Sequence, residues 1–310
     1  MVLNQINSVN FLFSNESFIL ISIFIFLIGL SLGSFLNVVI YRLPKSYSIV
    51  YPASSCPNCG YKIKFYDNIP VLSYVILNGR CRKCRGKISL VYPAIELISA
   101  LLIYLLFLKF FYKAYFFYKI NIYDIRYFKD YLYGNLRYFI FYLIFILTII
   151  PIAFIDLFNK IIPDVLNILL IIFGFALNIF FLGKPFLFPL YGFLAAGLFF
   201  YFIALIYEIV KKKEGLGGGD IKLIAGIGAF LGLRGAVFSI FGGAVLALAG
   251  FILFFIIQKF IKIKSKKDAF NINLNDFKIP FGPFLSLASI FYIFYGDILI
   301  KVYLNFIRYH

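Results

Sequence analysis

The chain has 310 residues, 63% of them hydrophobic, with a formal net charge of +17 and a mean hydropathy of +0.96. Soluble domains run at about 45–50% apolar, so this composition excludes an ordinary soluble core. The positive charge lies in short loops between apolar runs, as the positive-inside rule expects, and not on a foldable basic surface, which excludes nucleic acid as a partner.

The first apolar run, residues 18–41, is longer than a signal-peptide core and lacks a basic stretch before it, so it reads as a retained span. Residues 42–91 follow, rich in Lys, Arg, Pro, Gly and Cys, too polar to span and long enough for a small folded module. Apolar runs then recur at residues 92–108, 139–155, 165–182, 186–209, 221–233, 236–257 and 280–300. Windows of about 20 apolar residues, the length a membrane helix needs, thus recur along the chain. The expected fold is therefore an all-α polytopic membrane protein of about eight transmembrane helices, with a small cytoplasmic module after the first. Its expected parts are residues 1–41, the module 42–91 and a membrane domain 92–310. The basic segments 42–91, 211–213 and 259–278 are placed in the cytoplasm. Both termini then face away from it. Residues 109–137, basic and aromatic, fit this alternation poorly and read either as an interfacial amphipathic piece or as a place where the alternation itself fails.

All four cysteines occur as two C-x-x-C pairs, Cys56 with Cys59 and Cys81 with Cys84, separated by 21 residues. Each pair turns two thiolates toward one ion, and two pairs complete a tetrahedron, so the spacing predicts a structural Zn2+ site. Lys62, Arg80, Arg82 and Lys83 nearby favour thiolates. Four sulfur ligands leave no open position for catalysis. Disulfides are the competing reading, disfavoured by a cytoplasmic location.

Among the few acids, most sit beside basic loop residues and read as solvated charges. Asp164 follows Pro163 and reads as a helix N-cap. Glu96 reads as a partner for a basic residue of the module. Asp156 closes the apolar run 139–155. Asp220 ends a glycine run, Gly217, Gly218, Gly219, that opens the run 221–233. A carboxylate at the edge of a bilayer is a functional-site candidate, and two suggest an acid–base pair acting on water. The three glycines are expected to make a poor helix with positive φ, leaving a substrate-approach loop in which an extended peptide lies against backbone.

Gly217-Gly218-Gly219-Asp220 contains the G-x-G-D signature of membrane aspartic proteases, and the chain as a whole resembles the type IV prepilin peptidases. Gly33-Ser34-Phe35-Leu36-Asn37 is similar to the family's first-span motif. Asn68-Ile69-Pro70-Val71-Leu72-Ser73-Tyr74 lies between the cysteine pairs as in the family's zinc module. Tyr92-Pro93 with Glu96, and Ile279-Pro280-Phe281-Gly282-Pro283, complete the likeness. The resemblance implies a protease of the cytoplasmic (inner) membrane, its active site facing the cytoplasm. It implies cleavage after a glycine of type IV prepilins and type II secretion pseudopilins. It also implies Asp156 and Asp220 as the catalytic aspartates, and N-methylation of the new amino terminus with S-adenosylmethionine. The methyl-transfer residues are not indicated, and no nucleotide-binding glycine fingerprint follows a strand. Three rivals stand beside this reading: a presenilin-like G-x-G-D protease, an enzyme that cuts without methylating, and a zinc-stabilised transporter.

Overall fold

The computed structural model describes residues 14–119, 125–212, 217–264 and 280–309. The described residues form helices, with no strand beyond two isolated bridges. The main helices are α1 (Asn15–Arg42), α2 (Leu72–Ile76), α3 (Val91–Lys119), α4 (Ile125–Asn159), α5 (Asp164–Ala176), α6 (Leu187–Lys211), α7 (Gly218–Lys264) and α8 (Gly282–Tyr309). The chain divides into two compact units, Met1–Pro151 and Ile152–His310.

Among the described residues, six helices are long and apolar enough to cross a membrane: Asn15–Lys45, Val91–Phe116, Asp130–Asn159, Asp164–Phe181, Leu187–Lys211 and Gly218–Leu253. A shorter apolar helix covers Gly282–Gly296. Eight spans are therefore not counted by length and apolarity. The difference lies partly in α7, which holds both expected runs 221–233 and 236–257. A straight 47-residue helix would run about 70 Å, more than twice the roughly 30 Å of bilayer hydrocarbon. The chain departs from helix at Gly232, with φ 73° and ψ 179°, splitting α7 in two. Many large apolar side chains face outward, among them Leu198, Phe199, Phe202 and Ile206 of α6, as lipid contact requires.

In the N-terminal unit, Ser14 caps α1 by accepting the Ser17 N–H at 3.2 Å. Glu16 in the first turn and Arg42 in the last complement the helix dipole. α1 and α3 touch backbone to backbone: a Cβ on Gly29 would meet Ala100 Cα at 2.7 Å, and one on Gly33 would meet Glu96 Cα at 2.7 Å. This small-residue packing replaces the hydrophobic drive that helices lack inside lipid. Residues 109–137 do not form a separate interfacial piece. Their described residues continue α3 to Lys119 and begin α4 at Ile125. Aromatic pairs hold these extensions, such as Tyr115 on Phe18 and Phe110 on Tyr138.

In the C-terminal unit, α6 and α7 approach as closely at Gly192 and Gly228, where an added Cβ on either would overlap the other's carbonyl oxygen. Gly174 of α5 packs on the Ala229–Phe230 backbone. Buried Asn178 donates to the Ala229 and Phe230 carbonyls at 3.1 and 3.0 Å, just before the break at Gly232. Satisfying carbonyls beside a helix break matters most where no water can do so.

Candidate active site and metal centre

The C-terminal unit brings together the two aspartates singled out in the sequence. Asp156 lies in the last turn of α4 and is 5% exposed. Its Oδ2 accepts the backbone N–H of Gly282, the first residue of α8, at 2.9 Å. A Cβ at Gly282 would stand 2.6 Å from that oxygen, so glycine alone fits without a shift. Asp220 lies in the first turn of α7, partly buried, and interacts electrostatically with Asp156. Its Oδ1 is buried with no protein hydrogen-bond partner among the described residues. Both carboxylates thus sit at helix N-termini, where unsatisfied N–H groups favour negative charge.

The glycine run differs from expectation. Gly218 and Gly219 are helical, and none of Gly217, Gly218 and Gly219 has positive φ. They open α7 rather than forming a loop of left-handed backbone. Their use is close approach: a Cβ on Gly219 would meet Ile162 Cβ at 3.1 Å, and one on Gly217 would meet Asp220 Oδ2 at 3.2 Å. Asn167 of α5, fully buried, donates to the Gly219 carbonyl at 3.3 Å and steadies this turn. Asp164 is not the N-cap of α5. Pro163 takes that place, and Asp164 pairs with Lys222 at 2.7 Å on the surface.

The cysteines form the second constellation. Two arches share one backbone pattern: Gly60 N–H to Cys56 C=O at 2.9 Å, and Arg85 N–H to Cys81 C=O at 3.0 Å. Each arch is closed by a bridge, Ser55 with Lys62 and Arg80 with Lys87. Gly60 and Arg85 turn with φ of 68° and 57°. All four sulfurs lie within 4.8 Å of one another, with Cys56–Cys84 at 3.8 Å and Cys59–Cys81 at 4.0 Å. Tetrahedral zinc with Zn–S near 2.3 Å places its sulfurs about 3.8 Å apart, so the donor set fits that ion. The Cys84 and Lys83 backbone N–H groups bring the Cys81 thiol down to about 7, against its burial. Cys59 goes to about 11: the Tyr61 N–H favours its thiolate, but burial and the three other sulfurs outweigh it. Four such sulfurs can all ionise only when a cation shares their charge. Asp67 accepts a bidentate contact from Arg82 at 2.6–2.9 Å, tying the linker to the second arch.

A family model described as the bacterial peptidase A24 N-terminal domain matches residues 27–110. One described as the type IV leader peptidase family matches residues 141–253. A prepilin leader peptidase/N-methyltransferase of Pseudomonas aeruginosa is 30% identical over 303 residues, 90% of this chain and 92% of its own. The chain belongs to the type IV leader peptidase family. A relative of the same name from Myxococcus xanthus is 36% identical over 216 residues, 69% of this chain and 57% of its own. Another from Aeromonas salmonicida is 29% identical over 315 residues, 91% of this chain and 93% of its own. No solved structure matches the chain.

As a member of this family, the protein is a membrane-integral peptidase with methyltransferase activity. The leader peptidase match contains Asp156 and Asp220, and the N-terminal match contains all four cysteines and Glu96. Two residues of the site escaped the sequence reading as individuals. Gly282 stood out only within its Pro-Phe-Gly-Pro helix start, and Asn167 carried no signal on an apolar run. Glu96 has a different partner from the one expected: it accepts the Val71 N–H at 2.7 Å and not a basic side chain.

Proposed function

We propose that this chain cuts the leader from type IV prepilins and type II secretion pseudopilins after a glycine, and N-methylates the new amino terminus. We place the cut on the cytoplasmic face of the inner membrane and assign it to Asp156 and Asp220. The observation that carries this reading is the placement of the two carboxylates, 64 residues apart in sequence: Asp156 on the first N–H of α8 and Asp220 in the first turn of α7.

Two carboxyls in one site share a proton. The ionised one takes a proton from water, and the oxygen so freed attacks the scissile carbonyl. The protonated one stabilises the developing oxyanion and gives its proton to the leaving amine. Gly282 holds the Asp156 carboxylate in place through its N–H, and Asn167 holds the turn that carries Asp220. Lys160, Lys211, Lys212 and Lys222 stand at the helix ends on either side of the pair. Their charge supports a cytoplasmic facing.

Cys56, Cys59, Cys81 and Cys84 would hold one structural Zn2+, fixing a module of residues 42–91 too small for its own apolar core. S-adenosylmethionine supplies an electrophilic methyl group when bound. The remaining membrane domain, residues 92–310, carries the cut. Incubating purified protein with a prepilin and reading leader release and the mass of the mature terminus tests the proposal. An uncut prepilin would overturn it.

A further inference from the structure

The module of residues 42–91 carries nine Lys and Arg and one acid, Asp67. Arg82 takes that acid through its bidentate contact. The rest of the positive charge is uncompensated within the module. Arg80 and Lys87 concentrate it. They are the two partners of an antiparallel bridge, where side chains start about 5 Å apart and like charges repel. Both are exposed, and neither forms an ion pair among the described residues. An anion shared between them would turn that repulsion into binding, and a guanidinium beside an ammonium suits phosphate oxygens.

The short helix α2 is turned inside out. Its polar side chains point into the module: Ser73 is buried and donates to the Tyr66 carbonyl at 3.0 Å, and Tyr74 donates to the Ile88 carbonyl at 3.4 Å. Ile69, Leu72, Val75 and Ile76 stand outward, between 44 and 64% exposed. Leu72, Val75 and Ile76 share one face by their spacing. A helix in water does the reverse, and an exposed apolar face of this kind marks a protein or a membrane partner. Its place in the fold selects the membrane. A strained turn at Val71, with φ 58° and ψ −47°, opens α2 and aims the Val71 N–H at Glu96 Oε2, 2.7 Å away. Glu96 is the sixth residue of α3, so the contact holds the start of α2 beside the first two turns of the span Val91–Phe116. Two residues in the left-handed region, Asn78 and Gly79, then turn the chain from Ile76 to Arg80.

We propose that α2 is an interfacial helix. Ile69, Leu72, Val75 and Ile76 enter the acyl region of the leaflet at which α3 begins, and Arg80 with Lys87 holds the phosphate of an anionic phospholipid. Segments that join an apolar face to basic residues lie in the plane of the interface. Each basic residue near an anionic surface strengthens binding roughly fivefold. The occupant is lipid rather than a second protein because the apolar face is small, its flank is cationic, and it is held against the end of a span, where lipid is already present.

The chain contains no tryptophan, so Ile76→Trp supplies a single reporter on this face. Purified full-length protein is reconstituted in phosphatidylethanolamine vesicles containing either phosphatidylglycerol or phosphatidylcholine brominated on its acyl chains. The reporter should be quenched by the brominated chains and shielded from aqueous acrylamide. At equal mole fraction, brominated phosphatidylglycerol should associate about tenfold more strongly than brominated phosphatidylcholine. Adding Arg80→Gln and Lys87→Gln should abolish that preference and keep the quenching. Limited proteolysis of residues 42–91 reports folding of each variant, and Val75→Trp on the same face replaces Ile76→Trp should that one unfold. Quenching by acrylamide with none from brominated lipid overturns the proposal by placing α2 in water. Shielding from both quenchers overturns it by showing a protein cover. Equal quenching by the two lipids without the glutamine changes, or a preference that survives them, overturns the choice of an anionic lipid.

Discussion

Gly282 donates its backbone N–H to Asp156 Oδ2 at 2.9 Å, joining residues 126 positions apart. The contact works because Gly282 has no side chain, since a Cβ there would lie 2.6 Å from the same oxygen. The first turn of α8 and one proposed catalytic carboxylate are therefore fitted to each other.

Gly282→Ala should push the Asp156 carboxylate aside. A displacement near 1 Å at a reacting group costs on the order of 10²-fold in rate. Prepilin cleavage should fall by about that factor, while zinc content and methylation of a pre-cut pilin stay unchanged. A near-normal cleavage rate would show that the carboxylate tolerates the shift.

Asp156→Asn and Asp220→Asn should each abolish leader cleavage with the fold intact. Asn is nearly isosteric and still accepts a hydrogen bond, so the Gly282 contact survives at position 156. It can neither ionise nor carry the shared proton. The loss should be about 10²–10⁴-fold or more, with the double variant little worse than either single one. Asp164→Asn is the control. Asp164 and Lys222 form an exposed pair, and such pairs contribute about 0–1 kcal/mol. Most activity should remain.

Cys59→Ser and Cys84→Ser should each lower bound zinc from one per chain. They should also destabilise the module of residues 42–91, because removing one thiolate opens a closed tetrahedral site. Elemental analysis and limited proteolysis of the freshly purified protein read both effects. Full metal content in either variant would count against the four-sulfur site.

Lys212 should face the cytoplasm. An alkaline phosphatase fused after it should stay inactive, and one fused in the turn at Gly183 should be active. Activity at the first fusion would put Asp220 on the other face of the membrane and overturn the proposed site of cleavage.

Local pattern alone determined much of this protein. Apolar runs of membrane length are additive properties of neighbouring residues, and among the described residues seven of the eight lie in six membrane-capable helices, two of them sharing α7. The spacing of Cys56, Cys59, Cys81 and Cys84 also carried through, since a C-x-x-C arch is built within a few residues and needs only a second arch to meet it. Asp156 and Asp220 could be named from their positions at the ends of apolar runs. What holds Asp156 could not, because the Gly282 N–H reaches it only once α4 and α8 have packed. The same holds for Glu96, whose partner is the strained turn at Val71, 25 residues earlier. Glycines were the least legible residues. Gly218 and Gly219 read as a loop but open a helix, while Gly232 breaks a run of good helix formers. A glycine permits both conformations at similar cost, and only the neighbours packed against it decide which one the chain adopts.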